Sequence, residues 1–124
     1  MKKFDELSGK IIGCALEVHK NLGPGLLESA YEQCLAYELS LAHIPFKLQY
    51  PVSVEYKTIK LDCGYRMDLF VDDKVIVELK SIENILPIHQ AQLLTYMKLA
   101  GISIGLLINF NARLLRHGIK RMVL

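Results

Sequence analysis

Residues 65–80 read YRMDLFVDDKVIVELK, and this stretch decides the fold because polar and apolar residues alternate along two segments separated by two consecutive aspartates. Alternation with a period of two is typical of a β-strand whose two faces have different surroundings. Paired aspartates favour a turn. The stretch therefore predicts a β-hairpin, with Asp68 on its first strand and with Glu78 and Lys80 on its second strand.

The register of this hairpin follows from its burial pattern. If the continuous apolar faces of both strands are buried on one side of the sheet, Asp68, Glu78 and Lys80 all emerge on the other side. Asp68 and Glu78 share a face only if the numbers of paired residues add to an even total, most simply 146. A tight two-residue turn would give 145 and would separate the carboxylates. We therefore predict a three-residue loop or a bulge at Asp72-Asp73.

Two carboxylates and an amine on one face of a sheet suit a metal-assisted reaction. Carboxylates a few ångströms apart repel one another unless a cation lies between them, and such oxygen ligands favour Mg²⁺ or Mn²⁺. The ion can polarise a phosphodiester and lower the pKa of a bound water. Lys80 could orient that water or stabilise the developing charge, and the backbone carbonyl of Leu79 is a further candidate ligand. The alternative is a surface hairpin with a cross-strand Glu/Lys pair, and spacing by itself leaves both interpretations open.

The rest of the chain predicts one mixed α/β domain of 124 residues. In chain order, the predicted elements are helices at about 4–21 and 26–42, strands at about 46–55, 59–71 and 74–81, a helix at about 87–100, and strands at about 102–110 and 113–123. The segment Gly23-Pro24-Gly25 ends the first predicted helix and separates it from the second. Pro51 indicates a sheet edge or a bulge. Residues 102–110 are apolar nearly throughout, which predicts a central strand covered on both faces.

Composition limits the classes of function. Hydrophobic residues make up 52% and charged residues 23% of the chain, as in folded domains. No apolar run is long enough for a membrane span. Three cysteines without a CxxC motif or signal peptide predict a reducing cytoplasm. The net charge of +2 is too small to indicate a nucleic-acid partner by itself. A basic C-terminal end could contact phosphate or form a solvated edge; it contains Arg113, Arg116, His117, Lys120 and Arg121.

Motifs outside the hairpin extend the interpretation over nearly the whole chain. Residues 25–31 read GLLESAY, and the hairpin spacing is Asp68-x9-Glu78-x-Lys80, followed by a helix. Further motif segments are 18–19 (VH), 65–69 (YRMDL), 77–81 (VELKS), 89–96 (HQAQLLTY), 105–110 (GLLINF) and 120–123 (KRMV). Together these segments resemble the GxxExxY protein family and, through the hairpin, the PD-(D/E)xK nuclease superfamily with its RecB-like and lambda-exonuclease-like members.

This resemblance implies a restriction-endonuclease-like fold, with a central sheet whose first strands are antiparallel and with helices on both faces. It implies that Asp68 and Glu78 bind the metal and that Lys80 is the catalytic lysine. Met67 stands where the superfamily name places a proline. The implied activity is metal-dependent hydrolysis of nucleic acid, with DNA favoured. Only three cysteines are present, in unsuitable places, so no iron–sulfur cluster is expected.

Further site residues come from the flanking elements. By resemblance, Glu28 is a further metal ligand or a group that supports the ligands. Gln92 and Tyr96 match a QxxxY pattern that lines the cleft, contacts substrate or holds Lys80. Arg66 shares the face of Asp68 and could contact phosphate or form a salt bridge. Tyr31 is a candidate substrate contact. Core packing is the alternative for both tyrosines, and a favourable helix N-terminus is the alternative for Glu28.

Two other classes of function compete with a DNA nuclease. A non-catalytic module of nuclease fold could bind nucleic acid or a protein partner. A homodimer could bury an exposed apolar helix or an edge strand. Retention of all the polar motif residues favours the nuclease.

Overall fold

The computed structural model describes residues 5–124. In chain order its elements are α1 (Glu6–Leu22), α2 (Glu28–Leu41), β1 (Phe46–Pro51), β2 (Val54–Tyr56), β3 (Ile59–Leu61), β4 (Arg66–Val71), β5 (Val75–Lys80), α3 (Pro87–Ala100), β6 (Ile104–Asn109), a 3₁₀ helix (Leu115–Gly118) and β7 (Ile119–Val123). The predicted start of the first helix at Phe4 lies outside the described residues. The three helices confirm the predicted ones, and α3 has the predicted bounds.

The ends of the helices follow from local chemistry. Asp5 precedes α1, and its carboxylate accepts a hydrogen bond from the Ser8 N–H at 2.8 Å, which satisfies one of the free donors of the first turn. Gly23 follows α1 with φ of 66° and ends it as the sequence predicts. Pro87 opens α3, and Gly101 closes it in the left-handed conformation.

The main sheet has five strands in the order β1-β4-β5-β6-β7. β4 pairs antiparallel with both β1 and β5, β5 pairs parallel with β6, and β6 pairs antiparallel with β7. This confirms the mixed sheet with antiparallel first strands. β6 lies inside the sheet and is almost entirely buried, as its apolar sequence predicts. Pro51 ends the edge strand β1, where its missing N–H costs no ladder bond.

Two of the predicted strands are wrong in their extent. The segments 46–55 and 59–71 are each divided in two, and β2 and β3 form a separate two-stranded sheet. Gly64 adopts φ of 80° between β3 and β4, so the chain changes direction there and the two segments enter different sheets. The predicted tail strand is confirmed only for β7, because a 3₁₀ helix precedes it.

The hairpin register is confirmed. β4 and β5 pair through Leu69–Val77 and Val71–Val75, so paired numbers add to 146. The turn is a three-residue loop, and its first two residues, Asp72 and Asp73, both have φ of 53°. Aspartate tolerates this left-handed conformation better than most residues. Asp68 and Glu78 therefore belong to the same face of the sheet.

Apolar clusters lie on both faces of this sheet. One cluster joins α1 and α2 to the odd-numbered residues of β5. The other joins α3 to Phe70, Ile76 and Leu107. Because side chains alternate along a strand, Glu78 shares the face of Ile76, toward α3. Within residues 5–124, the helices fall short of the length and apolar character that a membrane span needs.

Candidate active site

Asp68 and Glu78 meet where the backbone ladder between β4 and β5 ends. The last ladder pair is Leu69–Val77. Beyond it, the Asp68 N–H donates to Glu78 Oε2 at 3.0 Å, and the Leu79 N–H donates to Asp68 Oδ2 at 2.8 Å. Each carboxylate therefore accepts a backbone N–H from the opposite strand. These reciprocal hydrogen bonds place the two acids side by side, as the register predicts.

The Glu78 carboxyl is electrostatically destabilised in its ionised form. Its side chain is buried, and this burial, followed by the charge of Asp68, raises its pKa from 4.5 to about 8. The hydrogen bond from the Asp68 N–H and the charge of Lys80 oppose the rise, and the charge of Glu28 adds to it. At neutral pH the metal-free carboxyl therefore holds a proton. A cation beside the pair would reverse this balance, because opposite charge favours the ionised form.

The donor set fits a hard divalent cation. Both side chains offer carboxylate oxygen, and their mutual repulsion is what a cation relieves. Within residues 5–124, no group of three or more His, Cys, Asp or Glu side chains is arranged to hold a metal. Mg²⁺ is commonly bound by one or two carboxylates while it keeps several waters. The pair therefore suits Mg²⁺ or Mn²⁺ better than a metal that needs a full protein cage.

Lys80 ends β5 beside this pair and is half-buried. Its charge lowers the pKa of Glu78, which places the ammonium within the electrostatic reach of that carboxyl. The ion pairs found within residues 5–124 are Lys47–Asp73 and Lys74–Asp72, and Lys80 belongs to neither. The alternative is a surface hairpin with a Glu/Lys pair, and two observations count against it: Glu78 is buried, and Lys80 forms no ion pair within residues 5–124.

Asn109 holds the chain that follows Lys80, and sequence reasoning missed it. It is buried, with 4% of its surface exposed. Its Oδ1 accepts the Ile82 N–H at 3.1 Å, and its Nδ2 donates to the Ile82 carbonyl at 2.9 Å. The Phe110 N–H donates to the Lys80 carbonyl at 2.9 Å. These contacts fix the end of β5 and thus the base of the lysine side chain.

Tyr31 does not line the cleft, so its predicted substrate contact is wrong. The ring is fully buried and stacks on Phe110, with ring centroids 4.4 Å apart. Its hydroxyl donates to the Gly23 carbonyl at 2.5 Å and accepts the Leu26 N–H at 3.1 Å. The conformation of the loop before α2 therefore depends on this tyrosine, which explains its place in the GLLESAY segment.

Glu28 directly follows that same loop. It is the first residue of α2 and is exposed. The Ser81 hydroxyl donates to the Leu26 carbonyl at 2.6 Å, which ties the loop to the chain just after Lys80. The charge of Glu28 contributes to the raised pKa of Glu78. The structure thus brings Glu28 toward the carboxylate pair, although it does not complete a three-carboxylate cluster.

Gln92, Tyr96 and Arg66 border the pair on the α3 side. Gln92 Nε2 donates to the Tyr96 hydroxyl at 3.2 Å. Burial, followed by the charge of Glu78, raises the pKa of Tyr96, so its hydroxyl stays protonated near neutral pH. Arg66 is exposed, and its Nη1 donates to the carbonyl of Tyr65 at 3.2 Å. The salt bridge considered for Arg66 is absent from the ion pairs of residues 5–124.

Gln49 is a second residue that sequence reasoning missed. It lies on β1, and its Nε2 lies 2.7 Å from Glu32 Oε1 and 3.4 Å from Asp68 Oδ1. Its φ of 49° is left-handed in the middle of a strand, a conformation that costs energy for a residue with a side chain. Burial, and in smaller part the charge of Asp68, raises the pKa of Glu32. The Gln49 amide lies between the two carboxylates, and its hydrogen bond to Glu32 opposes the rise in the Glu32 pKa.

Comparison with known proteins agrees with this geometry. A model of the PD-(D/E)XK nuclease superfamily matches residues 5–122. Neither the curated proteins nor the solved structures contain a significant match. The family match spans nearly the whole chain and includes the hairpin that carries Asp68, Glu78 and Lys80. The chain therefore belongs to the PD-(D/E)XK nuclease superfamily.

Proposed function

We propose that this protein is a metal-dependent nuclease that hydrolyses phosphodiester bonds, preferentially in DNA, at Asp68, Glu78 and Lys80. The reciprocal hydrogen bonds of the two carboxylates carry this proposal, because they hold two repelling acids beside a lysine that has no carboxylate partner in residues 5–124. Membership of a nuclease superfamily supports the class of reaction.

The roles of the side chains follow from their positions. Asp68 and Glu78, with the backbone carbonyl of Leu79, would hold Mg²⁺ or Mn²⁺, and Glu28 would support them directly or through water. When bound, the ion supplies a Lewis acid for the phosphoryl oxygens and a more acidic water. Lys80 orients the attacking water or donates hydrogen bonds to the negative charge that grows on the phosphate.

The surrounding residues would hold the nucleic acid. Arg66 is exposed beside the pair, and a guanidinium can donate two hydrogen bonds to one phosphate. Gln92 and Tyr96 form a hydrogen-bonded pair on α3 that faces the carboxylates. The Tyr96 hydroxyl keeps its proton at neutral pH, so it can act as a hydrogen-bond donor to substrate.

A cleavage assay tests the assignment. Single- and double-stranded DNA and RNA are incubated with the protein and Mg²⁺ or Mn²⁺. Asp68→Ala and Lys80→Ala should each reduce the rate by about 100-fold or more, since each removes charge stabilisation at the phosphate. Lys74→Ala is the matched control, because Lys74 lies at the opposite end of β5 and pairs with Asp72. Cleavage that survives both site substitutions would reject the assigned residues.

A non-catalytic module that binds nucleic acid or a protein partner is the alternative. The observation in its favour is that residues 5–124 hold no ready-made cluster of three metal-ligating side chains. Titration calorimetry with Mn²⁺ separates the two functions. A nuclease should bind Mn²⁺ in a manner that Asp68→Ala abolishes, whereas a module of this kind need not bind the ion at all.

Location and assembly are further parts of the proposal. Cys14 and Cys34 are half-buried free thiols, and Cys63 is an exposed free thiol, which supports a reducing compartment such as the cytoplasm. Thiol labelling of protein taken directly from cells tests this, and oxidised cysteines would count against it. Sedimentation velocity tests for the homodimer.

A further inference from the structure

An apolar groove runs along α3 beside the candidate active site. We call it the tyrosine groove, and its volume is about 400 Å³, within the range of small-molecule sites. It is lined by Val54, Tyr65, Ile88, Ala91, Gln92, Thr95, Tyr96 and Leu99. The lining includes no charged side chain, so the groove suits a neutral, flat, apolar group.

Three large apolar or aromatic side chains of the groove are exposed to solvent. Ile88 is 67% exposed, Tyr65 is 44% exposed and Leu99 is 37% exposed. The rings of Tyr65 and Tyr96 are tilted by 55° to one another, with centroids 6.1 Å apart. An exposed, contiguous patch of apolar and aromatic side chains often marks a site that binds a ligand or a partner.

The groove lies next to the carboxylate pair. Tyr96 belongs to both, since its ring lines the groove while its hydroxyl lies within the electrostatic reach of Glu78 and Asp68. Arg66 directly follows Tyr65 and donates to its carbonyl. A strand whose phosphate lies at the carboxylates and Arg66 would therefore direct a neighbouring base toward the groove.

We propose that the tyrosine groove binds an unpaired nucleobase of the substrate strand, which makes single-stranded nucleic acid, or a strand end that has left its duplex, the substrate. This inference rests on the proposed nuclease function and names its substrate class. The Tyr65 ring, which is 44% exposed, supplies a stacking surface, and the Gln92 amide offers hydrogen bonds to the edge of the base. A base inside a duplex is already stacked and paired, so it cannot enter without being unstacked.

The chemistry of the groove favours a base over a protein partner. The lining provides the exposed part of the Tyr65 ring for stacking and polar groups from Gln92, Thr95 and the Tyr96 hydroxyl. Charge for the phosphates is supplied outside the groove by Arg66 and Lys80. Neutral walls next to the exposed Arg66 match the alternation of neutral bases and anionic phosphates along one strand.

Equilibrium binding of fluorescent oligonucleotides tests the proposal without cleavage. The probes are single-stranded DNA and RNA containing one 2-aminopurine, the same strands with a single abasic position, and the matched duplexes, all in the presence of a chelator. The variants are Tyr65→Ala, Tyr65→Phe and Ile88→Ser. Tyr56→Ala is the matched control, because Tyr56 is 59% exposed on the β2–β3 hairpin but does not line the groove.

The wild-type protein should bind the single strand more tightly than the duplex and should change the 2-aminopurine fluorescence. Tyr65→Ala should weaken single-strand binding by about 5- to 150-fold, the range expected for loss of one stacked base, and Tyr65→Phe should retain it. The abasic strand should bind the wild-type protein weakly and should show no further loss with Tyr65→Ala. Tyr56→Ala should leave every affinity unchanged, and circular dichroism checks that each variant is folded.

Three results would overturn the groove assignment: duplex binding as tight as single-strand binding, equal affinities for Tyr65→Ala and Tyr56→Ala, or no effect of the abasic position. If any of these results is found while cleavage still depends on Asp68 and Lys80, the nuclease function is retained and nucleobase binding in the groove is rejected. The groove would then bind something else, for example a protein partner. Binding that follows the expected pattern without any metal-dependent cleavage supports the groove and rejects the nuclease.

Discussion

Replacing Glu78 with glutamine should make the metal-free protein more stable at neutral and alkaline pH. In the wild-type protein this buried carboxyl lies against Asp68, and ionising it costs free energy. Glutamine has nearly the same shape, and its amide oxygen can still accept the Asp68 N–H. The substitution therefore removes the charge and preserves the hydrogen bond that joins β4 to β5.

The size of the effect follows from proton linkage. The pKa of Glu78 rises from 4.5 to about 8 on folding, so the folded state binds this proton more tightly than the unfolded chain does. The stability that the group contributes is fully present below about pH 4.5 and is lost as pH rises through about 8. At 1.36 kcal/mol per pKa unit, the loss is roughly 3 kcal/mol at pH 7 and roughly 5 kcal/mol once the carboxyl is fully ionised in both states.

Urea unfolding from pH 4.5 to pH 9 measures this difference. With a chelator present, wild type and Glu78→Gln should have similar stability near pH 4.5 and should diverge as pH rises, with the variant the more stable. Saturating Mn²⁺ should stabilise the wild type at pH 8, because the ion binds the ionised form, and it should have far less effect on the variant. Parallel stability profiles for the two proteins, without metal, would refute the assignment of a raised pKa to Glu78.

Three further substitutions test the contacts around the site. Tyr31→Phe removes the hydroxyl that holds the loop before α2, and it should lower the free energy of unfolding by about 1–3 kcal/mol in a urea titration. Gly105→Ala places a Cβ 2.7 Å from Met97 Sδ, between β6 and α3, and it should cost about 1 kcal/mol, the low end for overpacking, because Met97 Sδ and the Leu93 methyl groups end flexible side chains. Gln49→Leu removes the hydrogen bond that lowers the pKa of Glu32, so that pKa should rise further in a carboxyl NMR titration.

Matched substitutions separate these effects from general damage. Tyr37→Phe on the exposed side of α2 should leave stability unchanged, and an equal loss for Tyr31→Phe and Tyr37→Phe would contradict the loop contact. Gly13→Ala adds a Cβ with no atom within 4 Å in helix α1, so it should raise stability by about 0.5–1 kcal/mol. Gln33→Leu beside Glu32 should not shift its pKa, and a shift as large as that of Gln49→Leu would show that the amide contact is not the cause.

The hairpin could be derived from the sequence because its determinants are local. Alternation fixes which residues share a face, and the parity of the register follows from the need to bury one apolar face. Neither step requires a contact between distant parts of the chain. The three-residue loop at Asp72 and the shared face of Asp68 and Glu78 were both accessible by this route, as were the bounds of α3.

The errors arose where a distant contact or one backbone torsion decides the outcome. Residues 59–71 alternate as a strand should, yet the left-handed Gly64 redirects the chain, and alternation carries no information about such a torsion. Tyr31 has the spacing of a helix-face residue, but whether its hydroxyl meets substrate or the Gly23 carbonyl depends on how the loop folds back. Gln49 and Asn109 act across the sheet on residues far away in sequence, so no local pattern identifies them.

The energetics of Glu78 distinguish a site built for a cation from an ordinary polar hairpin. A structural carboxylate usually lies where a lysine, an arginine or several N–H groups lower its pKa. Here burial and Asp68 raise the pKa to about 8, so the folded protein must keep this carboxyl protonated at neutral pH, which costs stability relative to the ionised unfolded chain. Glutamine could accept the same hydrogen bond without that cost. A divalent cation bound between Asp68 and Glu78 would supply positive charge there, and the proposed metal site therefore gives glutamate at this position a physical reason.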